Sequence, residues 1–122
     1  MNDHENSERL KFPKFRRVRS SLDYQRIYSL KQRASNRTLL IFAARNDLGW
    51  SRIGLSVSKK NGNSIARHRI RRLLKEAFRL EQHRIPAGLD LILIPRPNSK
   101  ATLQDYRQSI VELSERVEKS LR

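Results

Sequence analysis

Three stretches of the chain carry apolar residues at helical spacing, and three others carry them in alternation or as a nearly unbroken run. Ser20, with Asp23 three residues on, has the chemistry of a capping pair. The positions after it predict a short helix through about Leu30 whose apolar face holds Leu22, Tyr24, Ile27 and Tyr28. Thr38 to Ala44 is rich in β-branched and aromatic residues and predicts a strand, and Asn46-Asp47-Leu48-Gly49 follows it with turn chemistry. Arg52 to Ser58 then alternates strictly: Ile53, Leu55 and Val57 point one way, and Gly54, Ser56 and Ser58 the other. A hairpin of these two strands is expected.

Lys59 to Asn63 reads as a loop, after which Asn63 or Ser64 can cap a helix running to about Gln82, ahead of Pro86. At about 100° per residue, Ala66, Ile70, Leu73, Leu74, Ala77 and Phe78 share one face of that helix, while His68, Arg71, Arg72, Lys75 and Arg79 share the opposite one. Leu89 to Ile94 is a nearly continuous apolar run between Gly88 and Pro95, as expected for a strand covered on both faces. With the strand and helix before it, this run makes a strand–helix–strand unit. Thr102 and Asp105 form a second capping pair, and Leu103, Tyr106, Ile110, Leu113 and Val117 continue at helical spacing to the end. The predicted order is α-β-β-α-β-α, with an extra short strand possible between Phe12 and Arg19. Residues 1–10 lack apolar periodicity and are expected to form a disordered tail, which leaves 11–122 as a single domain with one modest core.

Charge sharpens the picture. The chain of 122 residues carries a formal net charge of +15, and the excess is segregated: between Arg9 and Arg79 twenty Lys/Arg stand against Asp23, Asp47 and Glu76 alone. A surplus of this size and placement answers a polyanion, either nucleic acid or an anionic membrane. A membrane fits poorly, because the basic helix directs its Leu and Phe into a protein core, and no apolar run is long enough to span a bilayer. A major-groove DNA reader would ordinarily bring a helix-turn-helix or a dimer partner, whereas strands flank this helix. The absence of cysteine removes disulfides, thiolate metal sites and cysteine nucleophiles, and with no export signal the expected compartment is the cytoplasm. A protein nuclease would need a carboxylate cluster or positioned histidines. The three acids of the basic half are accounted for as a cap (Asp23), a turn residue (Asp47) and a helical partner of Arg72 (Glu76), so neither catalytic residues nor a protein-held metal are expected.

The string Arg52-Ile-Gly-Leu-Ser-Val-Ser-Lys-Lys-Asn-Gly-Asn-Ser-Ile-Ala-Arg-His-Arg-Ile-Arg-Arg-Leu-Leu-Lys-Glu-Ala-Phe-Arg79 closely resembles, without gaps, the signature region of the bacterial ribonuclease P protein family. The likeness extends more weakly to residues 22–28, to Asn36-Arg37 and to Pro95–Ser99 with the final helix. It implies an α+β, two-layer α/β sandwich with a left-handed βαβ crossover, as in a domain of some ribosomal proteins. It also implies the protein subunit of a ribonucleoprotein that removes the 5′ leader of precursor tRNA, with catalysis and Mg²⁺ held by the RNA subunit. Its implied partners are that catalytic RNA and precursor tRNA, without a membrane or an obligate protein partner. Residues matching the RNA-binding positions are Lys59, Lys60, Asn63, Arg67, His68, Arg69, Arg71, Arg72 and Lys75. Those matching the leader cleft are Arg16, Arg17, Arg19, Tyr24, Tyr28, Asn36, Arg37 and Phe42, and Arg26 can add a phosphate contact. Two departures stand out: His68 replaces the central asparagine of the family's Arg-Asn-Arg motif, and Asn61 stands where an aliphatic residue is expected. On charge alone, a ribosomal or other structural RNA-binding protein remains open; an aromatic leader cleft is what separates the two.

Overall fold

The structure, a computed structural model, describes residues 16–122. The expected tail at 1–10 and residues 12–15 of the strand expected between Phe12 and Arg19 lie outside those residues. The elements are α1 (Ser21–Ser29), β1 (Arg33–Ser35), β2 (Leu39–Arg45), β3 (Arg52–Leu55), α2 (Ser64–Glu81), β4 (Leu89–Pro95) and α3 (Leu103–Ser120). Both predicted capping pairs form: the Ser20 side chain accepts from Asp23 N, and Thr102 and Asp105 close a complete capping box.

The four strands form one mixed sheet in the order β1-β2-β4-β3. β4 pairs antiparallel with β2 and parallel with β3, which reaches it through α2. The strand–helix–strand unit is therefore present, but the expected hairpin of β2 with β3 is not. β4 is apolar on both sides and takes the central position, which pushes β3 outward. The turn chemistry after β2 serves another purpose: the Asn46 amide donates to Asp90 at 2.8 Å, and its side-chain oxygen accepts from Leu48 N. β1 adds a strand that the pattern did not reveal, giving the order α-β-β-β-α-β-α.

Beyond β3, Val18 N donates to Ile53 O at 2.8 Å and Arg17 forms a parallel bridge with Ile53. Within the range where an extra strand was expected, the described residues form this single bridge and no strand, and it covers an edge that would otherwise present unpaired backbone groups.

α2 and α3 pack on one face of the sheet. There Leu39, Ile41, Ile53, Leu89, Leu91 and Leu93 meet Leu74, Ala77 and Phe78 of α2 and Tyr106, Ile110, Leu113 and Val117 of α3. α1 crosses the other face, burying Ile27 against Ala44 and Ile92. Leu22, expected on the apolar face of α1, is 75% exposed; it stands about 140° round the helix from Ile27.

Candidate nucleic-acid interface

Cross-strand register builds the floor of a cleft on the α1 side of the sheet. Arg33, Phe42, Ile92 and Gly54 are successive partners across the four strands and so lie in one row on one face. Tyr28 of α1 meets Phe42 edge-on, with ring centroids 5.0 Å apart, and Tyr24 lies 6.4 Å from Tyr28. The Arg33 guanidinium lies 6.0 Å from the centre of the Phe42 ring. Sequence reasoning missed Arg33, because a three-residue strand with one apolar position has no period to detect.

Tyr24 also anchors its helix. Its hydroxyl accepts from Leu55 N at 2.9 Å and donates to Leu55 O at 3.3 Å, closing the outer edge of β3. Burial raises the pKa of this phenol, opposed by the bond to the Leu55 backbone, so the proton that the second bond needs is retained. Only glycine at position 54 leaves room for the ring.

α1 is held at a second point by Asp90, whose side chain is wholly buried. Arg52 reaches its two oxygens at 2.8 and 2.7 Å, Arg26 donates to it, and Asn46 completes the set. Burial pushes the carboxyl pKa upward, but hydrogen bonds from Arg52 and Asn46 and the charges of Arg52 and Arg26 outweigh it, so the group sits below its ordinary value. Arg26, expected as a phosphate contact, is thus engaged with the fold. Asp90 escaped sequence reasoning because it looked like one polar residue in an apolar strand.

The basic residues of α2 divide between two flanks. Lys75 lines a cavity of about 160 Å³ together with Arg17, Val18, Tyr24 and Gly54, so part of the expected RNA-binding set and part of the expected leader set open onto one space beside β3. Among the described residues the Arg67 Nε is buried without a hydrogen-bond acceptor. On the other side Arg69 faces the β4–α3 loop, and His68, exposed, lines a groove with Ile65, Arg72 and Leu73. Lys59 and Lys60 are exposed in a 3₁₀ turn leading to α2.

Asn63 caps α2 as expected, its side chain accepting from Ala66 N at 2.9 Å. Two expectations change. Glu76 binds Arg79, not Arg72, with Arg79 Nε at 2.9 Å; the spacing of three lets the guanidinium fork reach both carboxylate oxygens. Asn36 is not brought to the aromatic cluster: its oxygen accepts from Thr38 N and Leu39 N and its amide donates to Ser109 of α3. Arg19 and Arg37 are exposed at the start of α1 and in the β1–β2 turn, and Arg16 contacts Ser51 O at 3.5 Å. Among the described residues no three His, Asp or Glu side chains are grouped so as to hold a metal ion, and no helix is long and apolar enough to cross a membrane.

A family model described as Ribonuclease P matches residues 12–118. The ribonuclease P protein component of Clostridioides difficile is 38% identical over 112 residues, covering 90% of this chain and 98% of the relative. That of Alkaliphilus metalliredigens is 35% identical over 98 residues, covering 80% and 88%. Among solved structures, the ribonuclease P protein of Thermotoga maritima superposes with a TM-score of 0.75 at 27% identity, covering 82% of this chain and 96% of its own. The protein from Staphylococcus aureus does so with a TM-score of 0.70 at 31% identity, covering 88% and 95%. With a mixed sheet and a basic helix that match these structures, and a family model covering most of its length, the chain belongs to the bacterial ribonuclease P protein family.

Proposed function

We propose that α2 and the Lys59–Lys60 turn bind the catalytic RNA of ribonuclease P, and that the cleft between α1 and the sheet binds the single-stranded 5′ leader of precursor tRNA. The observation that carries this reading is the continuity of the two surfaces: Lys75 of α2 and Tyr24 of α1 line one cavity, so one protein can touch the catalytic RNA and its substrate together. Arginines grip phosphate oxygens through paired hydrogen bonds, and Arg67, Arg71 and Arg72 are spaced along a rigid helix for that purpose. Tyr28 and Phe42, half-buried, offer ring surface to splayed bases. Such stacking contributes about 1–3 kcal/mol per base and tolerates any sequence, as an enzyme serving many precursors requires.

In this reading the phosphodiester is hydrolysed at the RNA, which holds the Mg²⁺ that assists. The described residues provide no grouped carboxylates for that ion, and Asp90 is neutralised by arginine. The protein raises affinity for substrate and screens phosphate repulsion, which lowers the Mg²⁺ needed.

The test is cleavage of a precursor tRNA by the cognate catalytic RNA at low Mg²⁺, with no protein, with this protein, and with an Arg67→Ala/Arg69→Ala/Arg71→Ala variant; protein alone is the control. Restoration of cutting at the mature 5′ end when the intact protein is added to the RNA, with none from the variant or from protein without RNA, supports the reading. Binding of RNA with no gain in cleavage refutes it and favours a structural RNA-binding role. A Tyr28→Ala variant is expected to lower the holoenzyme's affinity for leader-bearing precursor about tenfold and to leave its affinity for mature tRNA unchanged.

A further inference from the structure

We infer that the groove between the N-terminal half of α2 and the β4–α3 loop is a second phosphate-binding surface, which takes the sugar-phosphate backbone of an RNA strand and not its bases. The inference rests on the reading of the chain as an RNA-binding subunit and adds a site to it. The groove has a volume of about 380 Å³, within the ~300–1,000 Å³ range of sites that hold small ligands. Arg69 comes to it from α2, Arg96 and Lys100 from the loop, and no acidic residue lines it.

Some arginines of the fold are held by carboxylates, and those of this groove are not. Arg26 and Arg52 are neutralised by Asp90, Arg79 by Glu76, Arg84 and Arg107 by Glu81, Arg116 by Glu112 and Arg122 by Glu118. Among the described residues no carboxylate engages Arg69, Arg96 or Lys100. Three cations facing one concavity without a counter-charge repel one another, and an anion relieves that repulsion.

The loop is shaped to bring them there. Asn98 and Lys100 have φ of 64° and 52°, left-handed values that non-glycine residues rarely adopt. The conformation is held by Arg96 N donating to Thr38 O at 3.0 Å and by Ser99 N donating to Arg96 O at 3.4 Å. A loop that only joined a strand to a helix would not need two such residues so close together.

The nature of the ligand follows from what is missing from the walls. Tyr106 is buried, only 2% exposed, and the apolar remainder of the lining is Ala66, Ile70, Leu73 and Ala101, so no ring face is available to a base; Asn61, Asn98 and Ser99 add polar groups that can hydrogen-bond phosphate and sugar oxygens. Cations with aliphatic floor contact phosphate and sugar, which position a strand without reading its sequence. Arg67 and Arg69, two residues apart, stand about 200° apart on the helix. The groove therefore grips RNA on the flank of α2 opposite the cavity that holds Lys75 and Arg17.

The phosphates can come from the catalytic RNA or from precursor tRNA, and two binding assays separate these sources. An Arg96→Gln/Lys100→Gln variant of the full chain is compared with wild type for affinity to the cognate catalytic RNA, and, assembled as holoenzyme, for affinity to precursor tRNA, each over a range of salt. An Arg84→Gln/Arg122→Gln variant removes the same charge from outside the groove. The groove variant is expected to weaken one of the two RNAs about tenfold and to reduce the salt slope by about one to two units; the assay that responds identifies the RNA. Equal effects of the two variants in both assays overturn the inference while leaving the family reading intact. Failure of the wild type to bind either RNA refutes the reading itself and the groove with it.

Discussion

A methyl group on Gly54 would lie 2.4 Å from the Tyr24 hydroxyl oxygen and 2.7 Å from the ring carbon that bears it. Gly54→Ala is therefore expected to cost about 1–3 kcal/mol of stability by forcing the ring away from β3. In a double-mutant cycle read by urea unfolding, Gly54→Ala and Tyr24→Ala together should cost clearly less than the sum of the single changes, because the methyl group then has nothing to strike. Additive costs would show that the clash is relieved in some other way. Asp90 is the other residue on which α1 depends. Its folded pKa lies below the ordinary 3.8, so the stabilisation it provides is fully present above that value and is lost as pH falls through the lower folded value. Asp90→Asn removes the buried carboxylate that Arg52 and Arg26 share, leaving Arg52 only Asp23 at 3.8 Å, and is expected to destabilise by about 1.5–3 kcal/mol at neutral pH. Thermal melts between neutral and acid pH should show a shallower acid loss for the variant than for wild type; parallel profiles would show that Asp90 does not govern that region.

At the scale of elements, α2 and α3 were legible because each holds helical periodicity over 18 residues and opens on a capping residue. Asn63 tests whether the start of α2 is built for the helix or for RNA. Asn63→Ala is expected to cost about 1 kcal/mol of stability, and Asn63→Ser, which can still cap, only a few tenths. RNA affinity that falls equally in both variants, measured where both are fully folded, would instead make the asparagine a direct RNA contact. The hairpin expectation failed for a physical reason: turn chemistry at Asn46–Gly49 reports that the chain bends, not which strand lies next to β2. That neighbour was decided by β4, whose residues are buried on both faces and are best covered from the centre of a sheet.

Across the whole molecule the net charge of +15 sets how the protein meets its partner. If Lys59, Lys60, Arg67, Arg69, Arg71, Arg72 and Lys75 each neutralise one phosphate, the logarithm of affinity for the catalytic RNA falls with the logarithm of salt at a slope of about −6. Filter binding over a salt series measures it, and a slope near −2 would mean that most of these cations remain solvated in the complex. Because the excess charge lies mainly before Arg79, α3 is free to serve the core, and its arginines Arg107 and Arg116 pair with Glu81 and Glu112.

The sequence by itself determined the helices, the central apolar strand, the basic face of α2, the aromatic residues of α1 and the family, because each of these is carried by local spacing or by one contiguous string. Only the tertiary structure decided the sheet order, the covering of β3 by Val18 and Tyr24, the burial of Asp90 between Arg52 and Arg26, and the meeting of Arg69 with Arg96 and Lys100. Apart from the short β1–β2 pairing, each of these joins residues at least 27 positions apart, and such pairings are set by which surfaces must be buried together, a property of the packed chain that no local pattern encodes.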